Sequence, residues 1–390
     1  MNIRKKILSI VLVGILLLLI SFNISSGPLK LTIDHTKIDA SLSDFPVLVH
    51  LGKFSGFNSS DTSFVLTDLE IDANRKKISL TTQNGTELYV EIEKWDSVNK
   101  EAWLWVKVPS ISNTQDTILY LYYDKNMPDN TAMVGDTRST PAEKVWSNGF
   151  VMVQHFGQNG SGSPGEFLDS TTRKHDGQGG EGSSFGTPTK VASKIGDGQD
   201  FDGFDDYISV ADSDDFSITT TCQFTVSVWF NIDVQNFYGS DPYIRWIGKG
   251  GNGQEEWHSV IYNENSGDPY RLRYYNYGPE GGLGAGDYTK SSFTVGTWRH
   301  FTGVSICSDA SHGKVWLYVD NVHTGLPQTW QTHGFTYVNG QNPLRIGNEY
   351  GSGSKNWFNG KMDEVRISNV ARSQAWIKSS YYSESDALLS

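Results

Sequence analysis

Leu29, Leu31 and Ile33 begin a pattern in which apolar side chains fall at every second position, so that a strand would carry them on one face. Glu87–Glu93 and Ala102–Val108 repeat that period. Phe45–Leu51 reads as a buried strand with Pro46 near its start, where a missing N–H is tolerated. Thr117–Tyr123 is apolar on both faces, as a central strand is. Asn84-Gly85 between two such runs predicts a type I′ hairpin turn. Roughly seven strands in about a hundred residues predict a β-sandwich over 28–130. The polar stretch from Pro128 to Glu143 breaks the pattern, and a linker is placed over 131–144.

A second strand series follows from Val145. Its clear members are Phe224–Phe230, Tyr270–Tyr275, Trp298–Val304, Lys314–Val319 and Met362–Ile367. Long Gly-rich loops separate them, and long loops on a rigid sandwich are where binding usually sits. One short helix is predicted near the end, capped by Ser373, with Trp376, Ile377 and Tyr381 along one side. The second domain is placed at 145–385.

The N-terminus differs from everything after it. Arg4, Lys5 and Lys6 precede an apolar run from Ile7 to Ile20, then small and polar residues. This is the order of a secretory signal peptide over 1–26. The small-residue rule at the cleavage point is met poorly, so an uncleaved signal anchor stays open as the alternative. Either way the positive-inside bias sends the remaining chain outward, to an extracellular or cell-surface location. Membrane contact is expected only through that N-terminal helix.

The 390 residues include 40 Gly, 12 Trp, 18 Tyr and 19 Phe, a mix that suits short strands and tight turns. The formal net charge is -12, and the densest basic runs, Arg4–Lys6 and Arg75–Lys77, are only three residues long. A nucleic-acid partner needs a basic stripe to neutralise phosphates, so that class is excluded. Two cysteines are present, Cys222 and Cys307. An oxidising compartment permits a disulfide between them if their strands are antiparallel neighbours; two buried thiols are the alternative.

Two families are resembled. Leu31–Ile38, Asp44–Val49, Val90–Asp96, Trp105–Pro109 and Leu119–Tyr123 occur in the order of the domain of unknown function 2341. That resemblance covers nearly all of 28–130 and implies a fold and a habitat rather than chemistry. Asp124-Lys125 stands where the family usually closes with Gly-Asn. Phe201–Val210, Phe224–Trp229, Gly296–His300, Leu317–Asp320, Leu344–Gly347 and Asn359–Ser368 resemble the laminin-G-like, concanavalin A-like jelly-roll superfamily. Asn321 replaces the Gly that usually follows Asp320, and Asn also tolerates a left-handed turn. The expected fold class is therefore all-β: a β-sandwich, then a concanavalin A-like jelly roll, after a hydrophobic signal or anchor helix. The superfamily implies glycan or protein binding and often one structural calcium ion. It also contains enzymes, so activity must be argued from residues.

Glycosidases need two carboxylates flanking the scissile bond. The nearest string to a jelly-roll glucanase motif is Glu70-Ile-Asp72, but Arg75 stands at its third acidic position and it lies in the first domain. No His-Glu-x-x-His occurs. Glu255, Glu256 and His258 read as surface charges. For calcium, the resemblance points to Asp363 at the start of a late strand, joined by Asp202 and Gly203 in an acidic, Gly-punctuated segment. The alternative is a tight turn over Asp202–Asp206 held by Asx hydrogen bonds. For a glycan, Trp257, Arg271, Arg273, Tyr275 and Tyr277 are the candidate face, with Arg271, Arg273 and Tyr275 sharing a side by alternation. Burial of the aromatics in the core is the competing expectation. Asn58, Asn84 and Asn159 head sequons that fit surface loops. Leu326-Pro-Gln-Thr329 resembles a sortase signal, but Trp330 replaces its Gly and no apolar tail follows.

These observations imply an exported, non-catalytic binding or adhesion protein with a glycan or extracellular protein ligand. The rivals are a glycoside hydrolase with an atypical carboxylate pair and a purely structural envelope component.

Overall fold

The computed structural model describes residues 27–218, 223–235, 237, 242–251, 253–263, 270–277, 285–289, 292–309, 312–323, 328–331, 339–348 and 356–390. The expected leader (1–26) and Cys222 lie outside the described residues, and so does the Cys222–Cys307 bridge.

Among the described residues the strands form four sheets. The first half contributes β1 (Leu29–Ile33), β2 (Leu42–Leu51), β3 (Ile78–Thr82), β4 (Val90–Asp96), β5 (Glu101–Ile111), β6 (Thr117–Tyr123) and β7 (Val134–Asp136). They are ordered β1-β6-β3 and β2-β5-β4-β7. The period-two pattern works as alternation requires: Phe45, Val47 and Val49 of β2 share a core with Leu104 and Val106 of β5 and Leu119 and Leu121 of β6. Asn84-Gly85 turns the chain, but of the two only Gly85 takes a positive φ, +86°. Gly85 N donates to Thr82 O at 2.9 Å. A type I turn closed by a left-handed glycine thus replaces the expected type I′ turn, which needs two positive φ values.

The stretch 131–144 is not a linker. β7 adds parallel to β4, with Val134 opposite Val90. The helix Thr140–Val145, with Pro141 in its first turn, buries Ala142 and Val145. The few apolar residues of this polar stretch are the ones that pack.

The second half contributes β8 (Phe150–Gln154), β9 (Gly177–Gly179), β10 (Thr189–Ala192), β11 (Asp197–Asp202), β12 (Ile208–Val210), β13 (Gln223–Ile232), β14 (Tyr243–Lys249) and β15 (Trp257–Tyr262). It continues with β16 (Arg271–Asn276), β17 (Ala285–Tyr288), β18 (Trp298–Asp309), β19 (His312–Val319), β20 (Val322–His323), β21 (Gln328–Gln331), β22 (Leu344–Ile346) and β23 (Asn359–Ser368). A nine-stranded sheet runs β10-β11-β23-β13-β18-β19-β20, with β8 on β23 and β21 on β19. A seven-stranded sheet runs β17-β16-β15-β14-β22-β12-β9. Between them lies one core, in which Val226, Val228 and Phe230 meet Trp246, Leu272 and Tyr274. Gly303 on β18 is required there, because a Cβ would come within 2.8 Å of the Tyr274 ring.

The C-terminal helix (Gln374–Glu384), capped by Ser373, packs on the outer face of the nine-stranded sheet, where Trp229 Nε1 donates to Glu384 Oε2 at 2.6 Å. The chain then returns to the first domain. Thr32 and Ser390 exchange backbone hydrogen bonds of 2.8 and 3.0 Å. Trp376, Leu388 and Leu389 join the first domain's core, with Trp376 edge-on to Phe45 at 4.8 Å. His50 bridges Glu101 at 2.6 Å and Asp386 at 2.9 Å. The expected boundary at 385 therefore falls inside a shared structure. Leu389→Ala should destabilise the protein by about 2–5 kcal/mol in urea unfolding, the cost of a large-to-small change in a core. A change within about 0.5 kcal/mol, ordinary for a surface position, would show that the tail does not complete the first domain.

Candidate functional site

The outer face of the seven-stranded sheet collects most of the residues singled out for ligand binding. Pairing register builds it in rows. Tyr243, Tyr262 and Arg271 lie side by side on β14, β15 and β16. Arg245, Val260, Arg273 and Tyr288 form the next row, reaching β17. Arg345, Gly248, His258 and Tyr275 form a third across β22, β14, β15 and β16. Gly248 leaves that row without a side chain at its centre, since a Cβ would lie 2.6 Å from the Cβ of His258.

Guanidinium groups lie over the rings: Arg271 is 4.5 Å from the Tyr262 centroid, Arg273 4.1 Å from Tyr275, and Arg345 4.1 Å from Tyr207. Tyr277 stands edge-on to Tyr275 at 4.8 Å and its hydroxyl pairs with His258 Nε2 at 3.0 Å. Arg271, Arg273, Tyr275 and Tyr277 are thus brought together. Arg271, Arg273 and Tyr277 are half-buried, and Tyr275 is 5% exposed.

Trp257 does not join them. It is 1% exposed, lies in the jelly-roll core, and donates from Nε1 to Phe216 O at 2.9 Å. Strand alternation explains the correction: His258, Val260 and Tyr262 face outward, so Trp257 must face inward. The same alternation could have found His258 and Tyr262 from the Trp257–Tyr262 run. Arg345 and Tyr207 come from segments distant in the chain, and no local pattern joins them to this face. Glu256 and His258 are buried rather than surface charges, and Lys249 Nζ neutralises Glu256 at 2.9 Å. Glu181, which borders the face, is likewise paired, with Arg345. Asn58, Asn84 and Asn159 are exposed, as sequons in loops would be.

The expected calcium set does not assemble as one site. Asp202 pairs with Asn359 at the end of β11, whereas Asp363 lies four residues further along β23, about 13 Å away at the rise of a strand. Asp363 is fully buried, and one of its oxygens accepts from Ile195 N at 2.8 Å. Burial, with Glu364 and Glu93 nearby, holds its carboxyl well above the usual range. Gly203 has φ +76° and sits 2.7 Å, by a built Cβ, from the Asn359 side chain. Its reason is backbone geometry. Asp202 accepts from Phe204 N at 2.8 Å, the Asx arrangement weighed against the metal. Asp202, Asp205 and Asp206 do converge, with carboxylate oxygens within 4.8 Å of one another. Burial and the two neighbouring aspartates push Asp206 up to about 7.

A second cluster lies where the two domains meet. A β-bulge on β23 places two residues opposite one on β13, and Glu364 takes φ +54°. Glu364 Oε1 meets His155 Nδ1 at 2.6 Å, and its other oxygen accepts from Arg366 Nε at 3.0 Å. His155 Nε2 lies 3.3 Å from Glu91 Oε2. Arg366 also pairs with Glu384 and stacks on Trp105, 4.2 Å from its centroid. Burial alone would lower His155, but Glu364, Glu91 and Glu93 outweigh it and hold the imidazole well above its ordinary value. Burial, then Glu364, lifts Glu93 well above the carboxylate range. Burial lifts Glu384 to about 7 despite Arg366. Glu93, His155 and Glu364 have the spacing of a metal site. Both imidazole nitrogens face carboxylates, Glu364 and Glu91, and the Arg366 guanidinium places positive charge beside them. The cluster is an interdomain ion network.

The first class that the fold defines is a jelly-roll sandwich of concanavalin A type, mounted on a smaller β-sandwich. Residues 201–378 match the model of the concanavalin A-like lectin/glucanases superfamily, and residues 74–158 match that of a domain of unknown function, DUF2341. The order is the one the resemblance implied. Among solved structures, domain 4 of an extracellular arabinanase from Geobacillus stearothermophilus, in complex with arabinotriose, is similar at TM-score 0.40 and 17% identity, over 59% of this chain and 96% of that one. The binding domain of Paraclostridial Mosquitocidal Protein 1 is similar at TM-score 0.43 and 12% identity, over 60% and 52%. The receptor binding domain of botulinum neurotoxin C/D mosaic serotype is similar at TM-score 0.42 and 11% identity, over 60% and 51%. The match thus spans about half of each toxin chain. No curated protein matches.

The network sets a pH dependence. Glu384, Asp363, Glu93 and His155 all have raised values in the native state; they outnumber His300, which burial pushes down to about 3, so between pH 6 and 8 the folded chain binds more protons than the unfolded one. Stability must then fall as pH rises across that window. Thermal scans should give a lower Tm at pH 8 than at pH 6, and Glu384→Gln should flatten the slope. A Tm that rises from pH 6 to pH 8 would contradict the assigned charges.

Proposed function

We propose that this is an exported, non-catalytic binding protein whose ligand is a carbohydrate held on the outer face of the seven-stranded sheet. The observation that carries this reading is the ordered set of Arg271, Arg273, Tyr275, Tyr277 and His258 on one rigid sheet face. Sugar hydroxyls are met by planar groups with fixed donors, and a sheet holds such donors at set spacings without ordering cost on binding. Export rests on Arg4–Lys6 and the apolar run from Ile7 to Ile20. The first domain serves as a stiff mount, because its core is closed by the jelly roll's own C-terminal tail.

A glycan array probed with the whole exported chain tests the reading. Binding should weaken about tenfold or more in Arg273→Ala and in Tyr277→Ala, the equivalent of about 1.4 kcal/mol, with Tm unchanged. Full affinity in both well-folded variants would remove the ligand from this face. Incubation with the bound polysaccharide should release no new reducing ends; release would favour the glycosidase.

Calcium enters this reading at one place, the Asp202–Asp206 turn, where three carboxylates converge. Millimolar calcium should raise the Tm of chelator-treated protein, because a ligand of the native state stabilises it. Asp206→Asn should abolish the rise. No shift in the unaltered protein would exclude the ion.

A further inference from the structure

We infer that the carbohydrate of the seven-stranded face is anionic, a polysaccharide whose sugars carry carboxylate or sulfate groups. Resting on the carbohydrate-binding role proposed above, this inference concerns the class of sugar.

The chain is acidic, with a net charge of -12, yet this one face carries Arg245, Arg271, Arg273 and Arg345. Two of them stand two residues apart on β16, about 7 Å along the strand, and Arg245 lies two strands away, about 10 Å across the sheet. Such a spacing suits repeated charges along a polymer more than a single small anion.

The stacking geometry favours charge recognition over ring-on-sugar stacking. The rings of Tyr262, Tyr275 and Tyr207 already have guanidinium groups over them, at 4.5, 4.1 and 4.1 Å. A neutral sugar that packs its C–H face on an aromatic ring would have to displace those cations. Stacking leaves the in-plane N–H fork of a guanidinium such as Arg273 pointing away from the ring, in the geometry that matches a carboxylate or sulfate. The ring holds the fork still, so little side-chain freedom is lost when an anion docks.

Arg273 is the central case. Glu181 pairs with Arg345, but among the described residues no carboxylate pairs with Arg273, whose side chain rests on the Tyr275 ring. It is half-buried, flanked by Val260 and Tyr288. A fixed cation with no carboxylate partner among the described residues is where a ligand anion gains most.

The test uses the whole chain in calorimetry or biolayer interferometry at low and high salt. Polygalacturonate supplies carboxylates, dextran sulfate supplies sulfates, pullulan and arabinan supply neutral sugars, and a single-stranded oligonucleotide supplies phosphates. Binding to either acidic polysaccharide should be at least about tenfold tighter than to the neutral ones and should weaken as salt rises. Which acidic polymer is preferred identifies the charged group. Arg273→Gln should lose about tenfold or more, and Arg273→Lys should recover part of it, since the charge returns without the fork. Salt-insensitive binding of a neutral polymer, lost in Tyr277→Ala, would overturn the anionic class and leave the carbohydrate role standing. No binding to any sugar would overturn both. Preference for the oligonucleotide would overturn the inference in favour of a phosphate polymer.

Discussion

Charge removed from water must be matched by charge, and the meeting of the two domains is built around that demand. Arg366, His155, Glu364, Glu91 and Glu384 are all buried. Each would be costly alone, and each is paired. The bulge at Glu364 shifts the phase of β23, so that Met362 and Val365 both reach the core while Glu364 and Arg366, two apart, pair outside it. With it, acid and guanidinium lie side by side and reach His155 and Glu91 from the first domain. The rings of Trp105 and Trp146, 4.2 and 4.9 Å from the guanidinium, complete the enclosure. An ion network of this kind has few alternative geometries, because a shift of one member strands another without a partner.

That constraint decides which surface remains for a ligand. The outer face of the nine-stranded sheet is taken up by the C-terminal helix and by the first domain. The seven-stranded sheet turns its other side away from this junction. Its outer face is rich in Arg–Tyr stacks, whereas its inner face is apolar. The polar network and the Arg–Tyr rows therefore serve opposite ends of the same sandwich. One holds the module in place and the other presents planar donors.

Much of the architecture was legible in one dimension. Alternation and short apolar runs predicted the clearest strands of both domains, because the side-chain period of a strand is two whatever its neighbours are. The Ser373 cap and the C-terminal helix were legible for the same reason: both are local. Arg271, Arg273, Tyr275 and Tyr277 could be grouped from the sequence because they lie on or beside one strand. Trp257 was misplaced because its Gly-rich flank suggested exposure, although the parity of its own strand turns it inward. The stretch 131–144 looked like a linker because its three packing residues are too few to show a period.

Local pattern thus specified the strands, their faces and the families they resemble, since those depend on residues within a few positions of one another. Pairings between distant segments required the folded chain. Glu91 meets His155, His155 meets Glu364, and Arg366 meets Glu384 across separations that no motif spans. Asp363 shows the difference most sharply. As a residue it looks like a calcium ligand at a strand start; in the fold it is fully buried and its carboxyl is held well above the usual range. Ionisation, burial and partnership are properties of surroundings, and surroundings arise only when remote strands come together.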